Sequence, residues 1–114
     1  MDALEMTLLF DYYGDLLTER QRECFELRYG QDLSLGEIGQ ELGVSRQGVH
    51  DNLNRAEDIL RKMESKTGCV SRDLQCRKSA RHIVALAQTL MDHTDPNVSA
   101  AAEKILLEAK ALEE

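Results

Sequence analysis

A chain of 114 residues carrying 14 Lys and Arg against 21 Asp and Glu, net charge −7, is sized for one domain or for one compact unit with a helical appendage. Two Phe, three Tyr, no Trp and one Pro leave Leu, Ile, Val, Met and Ala to fill the core, and that composition favours an all-α fold. No stretch resembles a signal peptide or approaches the roughly 20 apolar residues of a membrane span, so no membrane insertion and a cytoplasmic location are expected.

Residues 4–14 predict a first short helix with Leu4, Leu8, Leu9 and Tyr12 as core contacts, ended by Gly14. Thr18 and Gln21 form a capping box for a second helix to about Gly30, with Cys24, Phe25 and Leu27 available for burial. Arg20, Arg22 and Arg28 interleave there with Glu19, Glu23 and Glu26, the pattern of a solvated helix with mixed pairs.

The next stretch organises the chain. Ser34 and Glu37 make another capping box, and Leu33 with Ile38 can close a hydrophobic staple over it. Leu35, Ile38 and Leu42 share one face up to Gly43, suited to the left-handed stop. Gly39 is expected to relieve a clash where two helices meet steeply. Ser45 can cap a new helix, and Val49, Leu53, Ala56, Leu60 and Met63 continue at steps of four and three. Two helices joined by so tight a turn are a helix-turn-helix, the second running on as a long arm to about Lys66. Gly48 looks like a pure helix-weakening position, costing about 1 kcal/mol relative to Ala.

Gly68 breaks the arm. A fifth helix is predicted over Ser71 to His93, presenting Leu74, Ile83, Leu86, Ala87 and Leu90. Asp95-Pro96 reads as a cap with proline at the first helical position, opening a last helix with Val98, Ala102, Ile105, Ala109 and Leu112. The expected division is therefore a helix-turn-helix domain over 1–66 and a helical extension over 67–114. The extension's narrow apolar stripes suit packing on the arm, on each other or on a second copy, so a homodimer is expected.

Chemistry is sparse. Cys24, Cys69 and Cys76 are odd in number without paired spacing, against a disulfide framework. Cys69, Cys76 and His82 lack zinc-site intervals and a fourth ligand, so no metal is expected. His50, His82 and His93 have no nucleophile at telling spacing, and Gly36, Gly39, Gly43 and Gly48 fall on packing and capping positions rather than a phosphate loop. No catalysis and no cofactor are predicted.

Charge points instead to a binding surface. Residues 1–60 carry five basic and thirteen acidic side chains, and residues 82–114 two and six. Between them Arg61, Lys62, Lys66, Arg72, Arg77, Lys78 and Arg81 face only Glu64 and Asp73. That basic belt and the leading end of the arm, Ser45, Arg46, Gln47, His50, Asn52 and Arg55, are the candidate nucleic-acid-binding residues.

Leu17-Thr18-Glu19-Arg20-Gln21-Arg22-Glu23 through Leu60, with its LRYG and SLGEIGQELGVS segments and the Val49, Leu53, Arg55-Ala56, Leu60 series, resembles region four of bacterial sigma factors. With the opening LLFDYYGDLLTERQRE the match sharpens: residues 6–64 resemble the YlxM family of small helix-turn-helix proteins of Gram-positive bacteria. That resemblance implies an association with the signal recognition particle, since members are typically encoded beside its GTPase and are proposed to regulate or assist its pathway. The sequence departs from a sigma factor where basic residues commonly follow the helix's central valine; here stand His50, Asp51 and Asn52. Asp accepts from a cytosine amino group and Asn pairs with adenine, but an acid in the groove repels the backbone. Regions that would bind the rest of an RNA polymerase are also missing at this length.

Two readings follow. One is a regulatory or accessory protein of the signal recognition particle pathway that binds the particle's RNA, its GTPase or DNA. The other is a sequence-specific DNA-binding regulator unrelated to protein targeting, each copy placing the helix from Ser45 in a major groove.

Overall fold

A computed structural model describes residues 3–113, and the chain divides into two compact units, 1–70 and 71–114. Every regular element among the described residues is helical, so the fold is all-α. In the first unit α1 (Ala3–Tyr13) leads through a 3-10 turn (Gly14–Leu16) to α2 (Glu19–Phe25), whose last turn widens into a π-helical turn over Glu26–Gly30. Then come α3 (Leu35–Leu42), α4 (Arg46–Thr67) and the start of α5 (Cys69–Gln88).

Local chemistry sets these boundaries. The Thr18 hydroxyl accepts from the Gln21 N–H at 3.2 Å while the Gln21 side chain accepts from the Thr18 N–H at 2.9 Å, satisfying two donors that the first turn leaves open. Ser34 and Glu37 repeat the arrangement at 3.1 and 3.0 Å. Gly43 (φ 69°) and Gly68 (φ 66°) both stand in the left-handed region and stop α3 and α4. The wide turn after Phe25 hands the Gln31 N–H to Glu26 O at 3.2 Å, and the Leu33 N–H reaches Leu27 O at 3.1 Å.

Cys24, Leu27, Ile38 and Val49 form the buried centre of the helix-turn-helix, with Leu33, Leu35, Leu42, Val44 and Leu53 packed around it. Met6, Leu9 and Leu60 are also fully buried. In α1 the inward residues are Met6, Leu8, Leu9 and Tyr13, whereas Leu4 and Tyr12, expected inside, are exposed. The reason lies far along the chain. The Tyr13 hydroxyl donates to Glu64 Oε1 at 2.7 Å and is hydrogen-bonded to Thr67 Oγ1, while the same Glu64 oxygen accepts the Val70 N–H at 2.9 Å. One carboxylate thus ties α1 to the end of α4 and the start of α5. Burial, foremost, pushes the Tyr13 phenol above its ordinary range, with Glu64 adding to the rise.

Two glycines have reasons different from those expected. A Cβ on Gly39 would lie 2.6 Å from the Val44 carbonyl oxygen, so it is the turn's own backbone, not a crossing helix, that excludes a side chain. Gly48 is more than a weak helix former: a Cβ there would sit 2.7 Å from Val44 Cγ1, and its N–H reaches the capping Ser45 Oγ at 3.0 Å.

In the second unit α5 ends at Gln88, short of the expected His93, and successive turns cover residues 89–92. No proline or glycine marks that end in the sequence. The sixth helix, α6 (Pro96–Glu113), begins as expected, with Asp95 Oδ1 accepting the Asn97 N–H at 2.9 Å. Arg77 pairs with Asp73 at 2.6 Å and donates to Glu113 O at 3.2 Å, so the start of α5 lies by the end of α6. Among the described residues, the buried side chains of this unit are Ala80, Ala87, Ala102 and Ala109. Of its larger apolar residues Ile83, Leu86, Leu90, Ile105, Leu107 and Leu112 are exposed, Leu86 by 68%, while Leu74, Val84, Met91 and Leu106 are half-buried.

Candidate nucleic-acid interface

Val49, Ala56 and Leu60 are buried and Leu53 packs against the core, so the opposite side of α4 is presented to solvent. Ser45 caps the helix from outside its first turn. The outward side chains near that end are Gln47, His50, Asp51 and Asn54. They pair among themselves: Gln47 Nε2 donates to Asp51 Oδ1 at 3.0 Å, Asn54 Nδ2 lies 3.4 Å from His50 Nδ1, and His50 Nδ1 lies 3.9 Å from Asp51 Oδ1. Asn52 is half-buried and turns back on its own helix, its amide donating to Gly48 O at 2.9 Å.

Arg46 and Arg55 are exposed, and among the described residues neither has a hydrogen-bond or ion-pair partner. Nine residues is two and a half turns, which places the two guanidinium-bearing positions on opposite flanks of the helix. Spacing alone contains this relation, and it is the one the sequence reading passed over.

The basic belt is divided by the fold. Arg61, Lys62 and Lys66 stand on α4 in the first unit, and Arg72, Arg77, Lys78 and Arg81 on α5 in the second. Arg61 is held by Glu57 at 3.1 Å and Glu5 at 3.8 Å, and Arg77 by Asp73. Lys62, Lys66, Arg72, Lys78 and Arg81 are exposed. The arginines of α2 and of the π-helical turn after it serve the fold: Arg20 reaches Leu42 O at 3.3 Å, Arg28 reaches Leu33 O at 2.9 Å, and Arg22 pairs with Asp15 at 2.9 Å over the Phe10 ring. Among the described residues no group of three His, Cys, Asp or Glu could hold a metal ion, and no helix is long and apolar enough to cross a membrane.

Comparison with known proteins gives this geometry a family. A UPF0122 protein of Desulforamulus reducens is 52% identical over 82 residues, covering 72% of this chain and 70% of that protein. One from Thermoanaerobacter sp. strain X514 is 43% identical over 112 residues, 97% of this chain and 96% of that protein. A third, from Acetivibrio thermocellus, is 48% identical over 80 residues, 70% of this chain and 68% of that protein. A family of helix-turn-helix proteins supports a nucleic-acid-binding regulatory role. The helix-turn-helix described above lies wholly within residues 1–98, which match the family described as "Putative helix-turn-helix protein, YlxM / p13 like", and the chain belongs to that family, UPF0122.

Proposed function

We propose that this chain is a non-enzymatic accessory or regulatory protein of the signal recognition particle pathway that binds nucleic acid through the leading end of α4. The observation that carries the reading is the pair Arg46 and Arg55, exposed and without a partner among the described residues, on the two flanks of a helix whose inner side is buried. A rod entering a groove meets a phosphate wall on either side, and two cations half a turn out of phase reach both walls. Between them Gln47, His50 and Asn54 supply donors and acceptors for base edges, while Asp51 disfavours most sequences and tolerates a cytosine amino group. Ser45 sits at the helix start, where an N-terminus favours phosphate.

In the second unit Lys78 and Arg81, three residues apart and exposed on α5, make a separate basic patch suited to backbone contacts without a base code, as on RNA. The tie to the particle, through its RNA or its GTPase, rests on the YlxM resemblance. The acidic remainder of the chain makes weak, strongly salt-dependent binding the expectation.

The exposed apolar side chains of α5 and α6 support a homodimer. Ile83, Lys104, Ile105, Glu108 and Leu112 line one groove whose Lys104 and Glu108 lie one turn apart. Two copies of α6 laid antiparallel about a two-fold place each Lys104 by the other's Glu108, the self-complementarity an isologous contact needs.

Anisotropy titration of the particle's RNA and of a DNA duplex from upstream of the protein's own operon, at several salt concentrations, tests the reading. Duplex binding that R46A/R55A weakens and RNA binding that K78E/R81E weakens are expected. Tight, sequence-selective DNA binding with no response to the RNA would establish the plain transcriptional regulator instead. No salt-sensitive binding to either would remove nucleic acid from the function.

A further inference from the structure

The half of α4 beyond the nucleic-acid surface carries a second feature that the helix-turn-helix does not use. Leu16, at the end of the 3-10 turn, Ile59 and Met63 line a groove with Lys62 and Lys66. Its floor is hydrocarbon and thioether: Leu16 is 49% exposed, and Ile59 and Met63 are half-buried. Its rim is cationic, for Lys62 and Lys66 lie one helical turn apart on the same side of α4.

The rim is basic in acidic surroundings. Residues 1–60 carry thirteen acidic side chains against five basic, and Arg20, Arg22 and Arg61 of the same unit are all paired with carboxylates. Lys62 and Lys66 have no such partner among the described residues. Two free ammonium groups over a strip of exposed methyl groups define a ligand by complementarity.

The geometry points to docking of an acidic amphipathic helix from a protein partner in the groove formed by Leu16, Ile59 and Met63, with its carboxylates on Lys62 and Lys66. Carboxylates spaced three or four residues apart on such a helix match ammonium groups spaced four apart, and its leucine-type face covers the floor. A phosphate backbone would satisfy the lysines and leave the floor wet; a neutral apolar helix would do the reverse. Met63 is an adaptable floor residue and lysine a point charge on a flexible stem, so the groove selects a class of helix rather than one sequence.

The test uses the full chain and a fluorescein-labelled amphipathic peptide of leucines at helical spacing flanked by glutamates. The controls are the same composition scrambled and the same peptide with every Glu changed to Lys. Anisotropy should show the glutamate peptide binding about tenfold tighter than either control, a difference of about 1.4 kcal/mol. L16Q, at a half-exposed position that leaves the helices intact by circular dichroism, should weaken it severalfold. K62E/K66E should abolish the preference and admit the lysine peptide, while R46A/R55A leaves peptide binding unchanged. Equal binding of the scrambled peptide, or an unaltered preference in K62E/K66E, overturns the proposal. So does a K62E/K66E variant that loses nucleic acid but keeps the peptide, which makes these lysines phosphate contacts.

Discussion

Tyr13 shows what a single hydroxyl does in this molecule. It is buried, donates to Glu64 and meets Thr67, residues 51 and 54 positions away. Its neutral form is favoured because burial disfavours the phenolate. A group whose folded-state value is raised stabilises the fold fully below its unfolded value and loses that contribution as pH rises through the folded one. Y13F should therefore cost about 1–2 kcal/mol at neutral pH, the net worth of its hydrogen bonds, and remove a step from the alkaline unfolding profile. Chemical denaturation at neutral and high pH checks both. The glycines of the turn differ in the same concrete way. Gly39→Ala drives a methyl group into a backbone carbonyl that cannot move aside and should cost about 2 kcal/mol despite the gain in helix propensity. On a unit of this size that is about 10 °C in melting temperature. Gly48→Ala meets side-chain atoms alone, Val44 Cγ1 at 2.7 Å and the capping Ser45 Oγ at 3.2 Å, and overpacking against a propensity gain of about 1 kcal/mol leaves a small net effect. A thermal melt of the two variants side by side decides whether the carbonyl or the methyl is the harder wall.

At the scale of the helix, the ends were legible and the faces less so. Ser34 with Glu37, Thr18 with Gln21, Gly43, Gly68 and Asp95-Pro96 all lie where the sequence placed them, because a cap is chemistry between residues three apart. Which side of α1 turns inward was not legible: Tyr13 is chosen over Tyr12 by partners on α4 that no local window contains. The widened turn at Glu26–Gly30 carries no composition signal either, and α5 stops at Gln88 without a breaker residue. In the candidate interface, Arg46 and Arg55 were legible as charged positions, but only the structure separates them from Arg61 and Arg77, which carboxylates hold. The capping box of α3 has its own signature in acid. The Ser34 backbone N–H, and after it the Ser34 hydroxyl, holds the Glu37 carboxyl below its usual range. A lowered folded-state value means stability complete above the unfolded value and lost as pH falls through the folded one. S34A should cost about 1 kcal/mol, and its unfolding midpoint should fall less steeply in acid than that of the unaltered protein.

The whole molecule joins a unit that carries the helix-turn-helix to one whose buried side chains, among the described residues, are alanines, and binding and assembly belong to that scale. Each phosphate contact contributes about one to the slope of log affinity against log salt. R46A/R55A should therefore lower that slope by about two while leaving helix content unchanged by circular dichroism. In solution the protein should elute with twice the 12.9 kDa of one chain, and L86E/L112E, at positions 68% and 54% exposed, should halve that mass in light scattering without unfolding the first unit.

A helical hairpin whose buried side chains, among the described residues, are Ala80, Ala87, Ala102 and Ala109 has little cohesion of its own, and this carries a consequence for dosage. If a second chain supplies the missing oil, the amount of ordered hairpin follows the square of the protein level when the protein is scarce. Heat resistance would then climb on concentrating the sample, and a target grasped by two heads at once would fill along a sigmoid rather than a hyperbola.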